Sequence, residues 1–298
     1  MFACYSPSYY VDLGKGHPFP MEKYPRTLER LVREGTLPSS CVIRPSPLPD
    51  ASLVAAHSSA YLHRVSRGLL SPQEVRRLGF PWSPPLLRRA RCASGGTLIA
   101  CHIALSEGIG VNLAGGSHHA FSDRGEGFCV FNDLAVAIRT LQRERRIHRA
   151  AVIDCDVHQG NGTAAMFQND PDVLTFSIHG ANNYPYRQVP STTDIALPDG
   201  TQDDFYMQAL QGHLPGLLRT FQPELVLYVA GVDPYRGDRL GRLKLTLKGL
   251  QQRDAFVLGL CREQRIPVVV TFAGGYAANL DDTVEAHCQT VRVARALL

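Results

Sequence analysis

Short apolar runs rich in β-branched residues recur from residue 110 onward, and they constrain the fold of this 298-residue chain more than any other feature. Five stand out, at positions 110–114, 151–153, 173–178, 225–229 and 267–272. Amphipathic stretches with helical spacing separate them, for example 133–144 and 246–264. Apolar strands that alternate with helices are typical of a parallel β-sheet covered by helices on both faces. The pattern therefore predicts an α/β fold.

The chain before residue 90 follows a looser pattern, with helices expected near 25–34 and 50–67. Two Pro-rich segments, 38–49 and 81–85, are interpreted as loops. No internal repeat or long linker divides the sequence, and its hydrophobic content of 44% supports a sizeable core. Residues 1–298 are therefore predicted to form a single domain.

Charge and cysteine usage favour a cytoplasmic protein that binds neither nucleic acid nor membranes. The formal net charge is only +4, and one arginine cluster is interpreted as a solvated helix face rather than a nucleic-acid patch (Arg143, Arg145, Arg146 and Arg149). Segment 1–7 lacks a signal-peptide pattern, and no apolar run approaches the about 18 residues of a membrane span. The eight cysteines include no CxxC pair, which favours reduced thiols over a structural zinc knuckle.

Polar groups follow all five apolar runs, and they include four histidines, three carboxylates and a tyrosine (His118, His119, Asp154, Asp156, His158, His179, Asp233 and Tyr276). Ligands of open α/β sheets bind at the carboxyl ends of the strands, so these groups are expected to meet at one edge. Because alternate residues of a strand share a face, Asp154, Asp156 and His158 should point the same way. Burying such groups is too costly to be incidental.

Asp156, His158 and Asp233 are the candidate metal ligands. They offer two oxygens and one nitrogen, which suits a catalytic Zn²⁺ that keeps a position open for water or substrate. Asp154 is expected to orient a neighbouring side chain rather than bind the metal. Two other interpretations remain open: Asp233 as a helix N-cap, and the Asp-x-Asp-x-His cluster as a buried hydrogen-bond network.

His118, His119 and Tyr276 are the candidate catalytic residues. The adjacent histidines are available for acid and base catalysis, and a phenol at position 276 could donate a hydrogen bond to an oxyanion. Taken singly, a His-His pair can be structural, and Gly274-Gly275-Tyr276 can be ordinary turn chemistry. The prediction depends on all of these groups lying at the ends of strands.

Together these residues resemble the motifs of the histone deacetylase and acetylpolyamine amidohydrolase family, which has the arginase–deacetylase fold. The matching segments are 115–120, 127–133, 154–162, 230–234 and 274–276. His17 and Pro18 near the start also fit, as do His57 and Tyr61 in an early helix. The resemblance covers residues 5 to 290, and segment 159–162 is most similar to the class IV branch.

The resemblance implies that Asp156, His158 and Asp233 bind one Zn²⁺ per chain. His119 would be the general base, and either His119 or His118 would protonate the leaving amine. Tyr276 would polarise the scissile carbonyl and stabilise the tetrahedral oxyanion.

The resemblance also implies a narrow channel for an acyl-lysine side chain. Gly127 and Phe128 would line one wall, and Tyr184 would form the opposite wall, where many relatives carry Phe. Relatives further bind a monovalent cation, usually K⁺, near the metal; the matching positions here are Asp154, Asp156, His158, Ser177 and Ile178.

Asn161 departs from the family pattern, since many deacetylases carry Asp at this position. Asp154 can still face His118, whereas His119 would meet a neutral amide. Loss of a nearby negative charge disfavours the imidazolium, so His119 should be neutral more readily, as a base requires.

The implied function is zinc-dependent removal of an acyl group, acetyl or a longer fatty acyl, from lysine side chains of proteins or peptides. One alternative is a deacetylase of acetylated polyamines or another small amide, and another is a non-catalytic acyl-lysine binder. An arginase or agmatinase of the same fold would need two metals, and the Asp233 segment lacks an adjacent Asp-x-Asp for the second ion.

Overall fold

The structure, a computed structural model, describes residues 1–298 and contains one eight-stranded sheet. Its strands are β1 (Ala3–Cys4), β2 (Val42–Ile43), β3 (Ile109–Asn112), β4 (Ala150–Asp154), β5 (Val173–Gly180), β6 (Thr193–Leu197), β7 (Leu225–Val229) and β8 (Val268–Thr271). Their order across the sheet is β2-β1-β3-β8-β7-β4-β5-β6, and all neighbouring pairs are parallel. The predicted α/β fold with a parallel sheet is confirmed.

Ten helices surround the sheet: α1 (Lys23–Arg33), α2 (Asp50–Leu53), α3 (Ser59–Arg67), α4 (Pro72–Leu78), α5 (Pro84–Glu107), α6 (Asp133–Arg143), α7 (Asn161–Phe167), α8 (Asp203–Phe221), α9 (Leu247–Glu263) and α10 (Leu280–Ala296). None of them combines the length and hydropathy needed to cross a bilayer. Short 3₁₀ turns occur at Pro7–Tyr9 and Ser39–Cys41.

The central strands explain why the five apolar runs are so continuous. Every residue of β4, β7 and β8 is buried, whereas the edge strand β6 alternates between buried or half-buried and exposed positions. Along β7, Leu225, Leu227 and Val229 pack into one hydrophobic cluster, and Val226 and Tyr228 pack into the other. Both faces of the strand are therefore covered, and every position must be apolar.

Helix boundaries follow local capping signals. The side chain of Asn132 accepts a hydrogen bond from the Ala135 N–H at the start of α6, and the Thr246 hydroxyl accepts one from the Gly249 N–H at the start of α9. These caps place both helices within a residue of the predicted ranges 133–144 and 246–264.

The predicted loop at 81–85 is wrong for its last two residues. Pro84 and Pro85 form the first turn of the 24-residue helix α5, and Ser83 caps it by accepting a hydrogen bond from the Leu86 N–H. Proline is well tolerated at the first helical position, because the missing N–H has no partner inside the helix. The Pro-rich segment therefore starts a helix.

Two further expectations for the first 90 residues need correction. The predicted helix 50–67 is two helices, α2 and α3, and His57 lies in the turn between them rather than in a helix. The predicted loop 38–49 contains β2, which pairs in parallel with β1. Both strands have only two residues, so neither produces a local pattern that the sequence could reveal.

His57 connects this turn to the core. Its imidazole is 3% exposed, and Nε2 accepts a hydrogen bond from the Asn132 N–H, 3.0 Å away. Burial disfavours the imidazolium and lowers the pKa of His57 from 6.5 to about 4. The folded protein therefore holds a neutral imidazole at a pH where the unfolded chain would be protonated.

We expect this histidine to weaken the fold in acid. Its contribution is complete above pH 6.5 and is lost as the pH falls toward 4, by about 3 kcal/mol if the whole pKa difference is realised. Urea unfolding at pH 7 and pH 4 measures this loss. In His57→Gln, which keeps an acceptor and does not titrate, the difference between the two pH values should shrink by that amount; an unchanged difference would contradict the assignment.

The register of the sheet brings the strand ends together. Asn112 of β3 pairs with Thr271 of β8, Thr271 pairs with Val229 of β7, and Val229 pairs with Asp154 of β4. Asp154 in turn pairs with Ser177 of β5. Four carboxyl ends thus form one row across the sheet beside Ser177, from which β5 continues to Gly180, and the loops that leave these strands converge on a single site.

Candidate metal and catalytic site

Asp156, His158 and Asp233 form the one buried group whose ligand atoms all lie within 4.8 Å of one another. The His158 Nδ1 is 2.9 Å from the Asp156 Oδ1 and 3.2 Å from the Asp233 Oδ2. The strand argument for this clustering was wrong in one respect, because β4 ends at Asp154. Asp156 and His158 lie on the loop that follows, and the loop brings their side chains together.

Backbone groups hold the two carboxylates in place. The Asp156 Oδ2 accepts a hydrogen bond from the Gly274 N–H at 2.8 Å, and the Asp233 Oδ1 accepts one from the Val157 N–H at 2.8 Å. A Cβ on Gly274 would lie 1.9 Å from the Asp233 Oδ2 and 2.6 Å from the Asp156 Oδ2. Only glycine allows the chain to approach the carboxylates this closely.

The electrostatics of this group favour a bound cation. Burial, together with the charge of Asp156, raises the pKa of Asp233 to about 7, and the Asp233 Oδ2 is buried with no hydrogen-bond partner. Two buried carboxylates close together are costly unless a positive charge balances them. The set of one imidazole and two carboxylates fits a catalytic Zn²⁺.

His118 and His119 lie beside this group on the loop that leaves β3, and each is 4% exposed. The His118 Nδ1 is 2.6 Å from the Asp154 Oδ2, and the His119 Nδ1 is 2.8 Å from the Asn161 Oδ1. Because both partners present oxygens, each Nδ1 carries a hydrogen and donates it. The two rings lie close together, with centroids 4.0 Å apart.

The partners give the two histidines different charges. Although burial disfavours its imidazolium, the carboxylates of Asp154 and Asp156 raise the pKa of His118 to about 9. Burial and the neighbouring charges of His118 and His158 hold the pKa of His119 well below its usual value. His119 is therefore neutral at neutral pH, with a lone pair on Nε2.

Glu126 is a site residue that the sequence reasoning missed. Its Oε1 accepts a hydrogen bond from the Tyr184 hydroxyl at 2.6 Å and one from the Asn161 Nδ2 at 3.3 Å. The one available signal was its position directly before Gly127 and Phe128, the residues predicted to line the channel.

The predicted channel residues surround the approach to the metal ligands. The ring centroid of Tyr184 is 4.9 Å from that of His119, and the Phe128 ring is 6.1 Å from the Tyr276 ring. Gly127 has φ 54°, and a Cβ there would lie 2.6 Å from the His119 ring. The glycine thus permits the close packing of the channel wall against the histidine.

Tyr276 stands on the loop that leaves β8 and is 6% exposed. Its backbone N–H donates a hydrogen bond to the Asp238 Oδ2 at 2.6 Å, and its ring centroid is 6.4 Å from that of His158. Burial and the charges of Asp233 and Asp156 raise its pKa well above the usual value. The phenol therefore keeps its proton and can donate it in a hydrogen bond.

Two buried cations behind Tyr276 were also missed. The Lys23 Nζ donates to the Ala273 carbonyl at 2.8 Å and lies 5.5 Å from the centre of the Tyr276 ring. The Arg89 guanidinium donates to the Tyr9 carbonyl and to the Tyr24 hydroxyl. Arg89 helps to line a small cavity of about 30 Å³ at the inner end of the channel.

The five residues predicted to hold a monovalent cation are all buried: Asp154, Asp156, His158, Ser177 and Ile178. Asp154 and Ser177 are paired across β4 and β5, and the Asp156 N–H donates to the Asp154 Oδ1 at 3.1 Å. The structure thus places them beside the metal group, and the bound cation stays a prediction.

Comparisons with known proteins identify relatives of the whole chain. The family described as "Histone deacetylase domain" matches residues 17–291. An uncharacterized protein of Picosynechococcus sp. is 43% identical over 98% of this chain and 97% of its own length. Histone deacetylase 2 of Arabidopsis thaliana is 33% identical over 91% of this chain and 73% of its own length.

More distant similarities agree with these matches. The acetoin utilization protein AcuC of Staphylococcus aureus is 28% identical over 87% of this chain and 72% of its own length. The crystal structure of the HDA15 HD domain superposes with a TM-score of 0.82 over 99% of this chain and 90% of that chain. At 23% identity, that superposition shows the shared fold.

Proposed function

The chain belongs to the histone deacetylase family, and we propose that it is a zinc-dependent amidohydrolase that removes an acyl group from lysine side chains. The observation that carries this proposal is the position of His119. Its neutral imidazole lies at the inner end of a channel, with its ring centroid 6.0 Å from that of the candidate ligand His158. A base beside a metal site is the arrangement that amide hydrolysis requires.

Asp156, His158 and Asp233 would hold the ion, and the His158 Nδ1 would be the nitrogen ligand because it faces both carboxylates. A bound Zn²⁺ would supply Lewis-acid activation of a water molecule and of the amide carbonyl. One such group of three ligands supports a single ion rather than the two that an arginase needs.

The protein side chains carry the proton transfers. The His119 Nε2 takes a proton from the water as its oxygen bonds to the carbonyl carbon, and the Tyr276 hydroxyl donates a hydrogen bond to the resulting oxyanion. The carbon–nitrogen bond then breaks, the amine nitrogen leaves with the electron pair, and the His119 imidazolium returns the proton to it. The carboxylic acid that forms keeps the second hydrogen of the water and then loses it to solvent, so the products are a carboxylate and a free amine.

Finer features of the proposal rest on the sequence motifs. We propose a class IV type of site on segment 159–162, a K⁺ ion held by the five residues from Asp154 to Ile178 named above, and a cytoplasmic location. The acyl group is acetyl or a longer chain. An acetylated polyamine or another small amide is the alternative substrate, and a non-catalytic acyl-lysine binder is the alternative without turnover.

One experiment tests these choices together. The zinc-loaded protein is assayed against lysine peptides that carry acyl groups from acetyl to myristoyl, alongside acetylated polyamines, with and without a chelator. Chelator-sensitive release from a peptide would support the lysine deacylase and name its acyl preference. Turnover of polyamines alone would replace the lysine deacylase with the small-amide alternative. If no substrate is turned over and the protein still binds an ion tightly, the non-catalytic acyl-lysine binder would be favoured.

A further inference from the structure

The mouth of the channel is strongly basic. Arg76 and Arg77 of α4 and Arg242 line a cavity of about 380 Å³, and His119 and Tyr276 line the same cavity. We call Arg76, Arg77 and Arg242 the rim arginines.

The rim arginines are only weakly neutralised. Arg76 and Arg77 are exposed and form no ion pair. Arg242 forms one, in which its Nη1 is 3.2 Å from the Oδ2 of Asp199. No carboxylate lines the cavity itself. The nearby carboxylate of Asp238 is buried and accepts hydrogen bonds from backbone N–H groups.

We propose that the rim arginines select acyl-lysine residues within acidic segments, an inference that rests on the proposed deacylase function. The neutral acyl-lysine side chain would occupy the channel and bring the neighbouring residues of the substrate to the mouth. Tyr186 lies at this mouth, is 93% exposed and offers an apolar surface. Exposed guanidinium groups attract carboxylates in these flanking positions and repel lysine, arginine and polyamine chains.

Matched peptides test this preference. Two acetyl-lysine peptides of equal length, one with Asp and Glu flanks and one with Lys and Arg flanks, are compared by kcat/KM. We expect the acidic peptide to be favoured about threefold to tenfold, given the modest strength of exposed ion pairs. The ratio of kcat/KM between the acidic and the basic peptide should decrease when the salt concentration is raised to about 0.5 M. It should also decrease in the double variant Arg76→Gln/Arg77→Gln.

Arg143→Gln/Arg146→Gln is the control, because both arginines are exposed and lie far from the channel: Arg143 ends α6, and Arg146 follows it on the segment that leads to the amino end of β4. It should keep the full preference. Equal kcat/KM for both peptides would overturn the rim inference, while the proposed deacylase function would still stand. If neither peptide is cleaved, the proposed function fails, and the Kd values of the two peptides, measured by fluorescence anisotropy, still decide the charge preference.

A second inference comes from Glu126 and rests on different contacts. A chain of hydrogen bonds runs from the His119 Nδ1 to the Asn161 Oδ1, and from the Asn161 Nδ2 to the Glu126 Oε1. Tyr184 donates to the same carboxylate oxygen, and the Arg124 Nε lies 3.4 Å from the other. The Glu126 side chain is 15% exposed.

The two ends of an amide are not equivalent. If the Asn161 amide were reversed, its NH₂ would face the His119 Nδ1, which would have to accept; the hydrogen would then sit on Nε2, and the ring could not act as a base toward the channel. The Glu126 Oε1 accepts hydrogen bonds from both Tyr184 and Asn161, so it favours the NH₂ end of the amide. The Gly162 N–H, which donates to the Asn161 Oδ1, favours the same orientation.

We propose that Glu126 is a positioning residue that orients Asn161 and thereby fixes the basic nitrogen of His119. A carboxylate at position 161 would need no such help, since either of its oxygens accepts from Nδ1. In the wild-type background, however, that carboxylate would lie close to Glu126 and the like charges would repel each other.

A double-mutant cycle separates this role from a structural one. Glu126→Ala should lower kcat about tenfold with little change in KM, because the base is lost in part of the molecules. Asn161→Asp should lower kcat in the wild-type background and raise it in the Glu126→Ala background. Glu126→Gln, which keeps an acceptor, should retain most of the activity.

The reversal of sign is the decisive result. If Asn161→Asp has the same effect in both backgrounds, Glu126 does not act through Asn161 and the inference fails. If Glu126→Ala does not fold, the comparison of Glu126→Gln with and without Asn161→Asp decides instead: a like-charge penalty that disappears with Gln supports the contact, and an unchanged penalty overturns it.

Discussion

Replacing Tyr276 with Phe should lower kcat by a factor of about 10²–10³ while the protein keeps its fold and its metal. The phenol is buried beside the candidate ligands, and burial with the charges of Asp233 and Asp156 keeps it protonated. It can therefore donate to an oxyanion that exists only after water has added to the carbonyl. Loss of such a donor affects kcat more than substrate binding.

The measurement is a comparison of kcat and KM on the best substrate of the panel, with bound metal determined in each preparation. Tyr10→Phe is the matched control, since Tyr10 is 41% exposed and outside the site; its kcat should equal that of the wild type. A Tyr276→Phe protein with full kcat would remove the phenol from the mechanism.

Replacing Asp233 with Asn should weaken metal binding by at least about 100-fold, because even residues that only support a metal ligand cost 10- to 100-fold when lost. The amide oxygen can still accept the hydrogen bond from the Val157 N–H, so the loop should keep its shape. Metal affinity is measured by competition with a chromophoric chelator. Asp204→Asn, an exposed change of the same chemistry in α8, should leave the affinity unchanged.

The same substitution should also change how the stability of the metal-free protein depends on pH. Burial raises the pKa of Asp233 to about 7 from an ordinary value of 3.8, so its ionisation opposes folding as the pH rises from 4 through 7. Although burial disfavours its imidazolium, the carboxylates of Asp156 and Asp233 raise the pKa of His158 to about 10, so the loss of this charge at higher pH adds to the same fall in stability. Asp233→Asn removes the first titration and weakens the second, so the melting temperature of the metal-free variant should fall less between about pH 5 and pH 8 than that of the metal-free wild type. An equal fall in the two proteins would contradict this assignment.

Much of the fold could be predicted because its central strands are buried on both faces. A strand such as β7 must be apolar at every position, and this requirement leaves a continuous run in the sequence. The polar groups after each run then follow from the rule that parallel strands bring their carboxyl ends to one edge. For the same reason Asp156, His158 and Asp233 could be grouped as candidate ligands of one site from their positions in the sequence alone.

Other features leave no local pattern. Strands β1 and β2 have two residues each, too few for a period of two to be recognised. Lys23, which is fully buried and reaches the Ala273 carbonyl, looks like any surface lysine at the start of an amphipathic helix. Proline at positions 84 and 85 predicts a loop or a helix start equally well, and the Ser83 cap together with the packing of α5 decides for the helix.

The sequence by itself determined the parallel sheet, the edge at which the chemistry lies and the residue types that gather there, because burial and strand direction act through short stretches of chain. Only the tertiary structure decided the partners of those residues. Glu126 meets Asn161 and Tyr184 across 35 and 58 positions, and the rim arginines come from segments that no local pattern connects. Hydrogen bonds and charge–charge contacts depend on ångström distances between distant segments, and packing of the whole chain sets those distances.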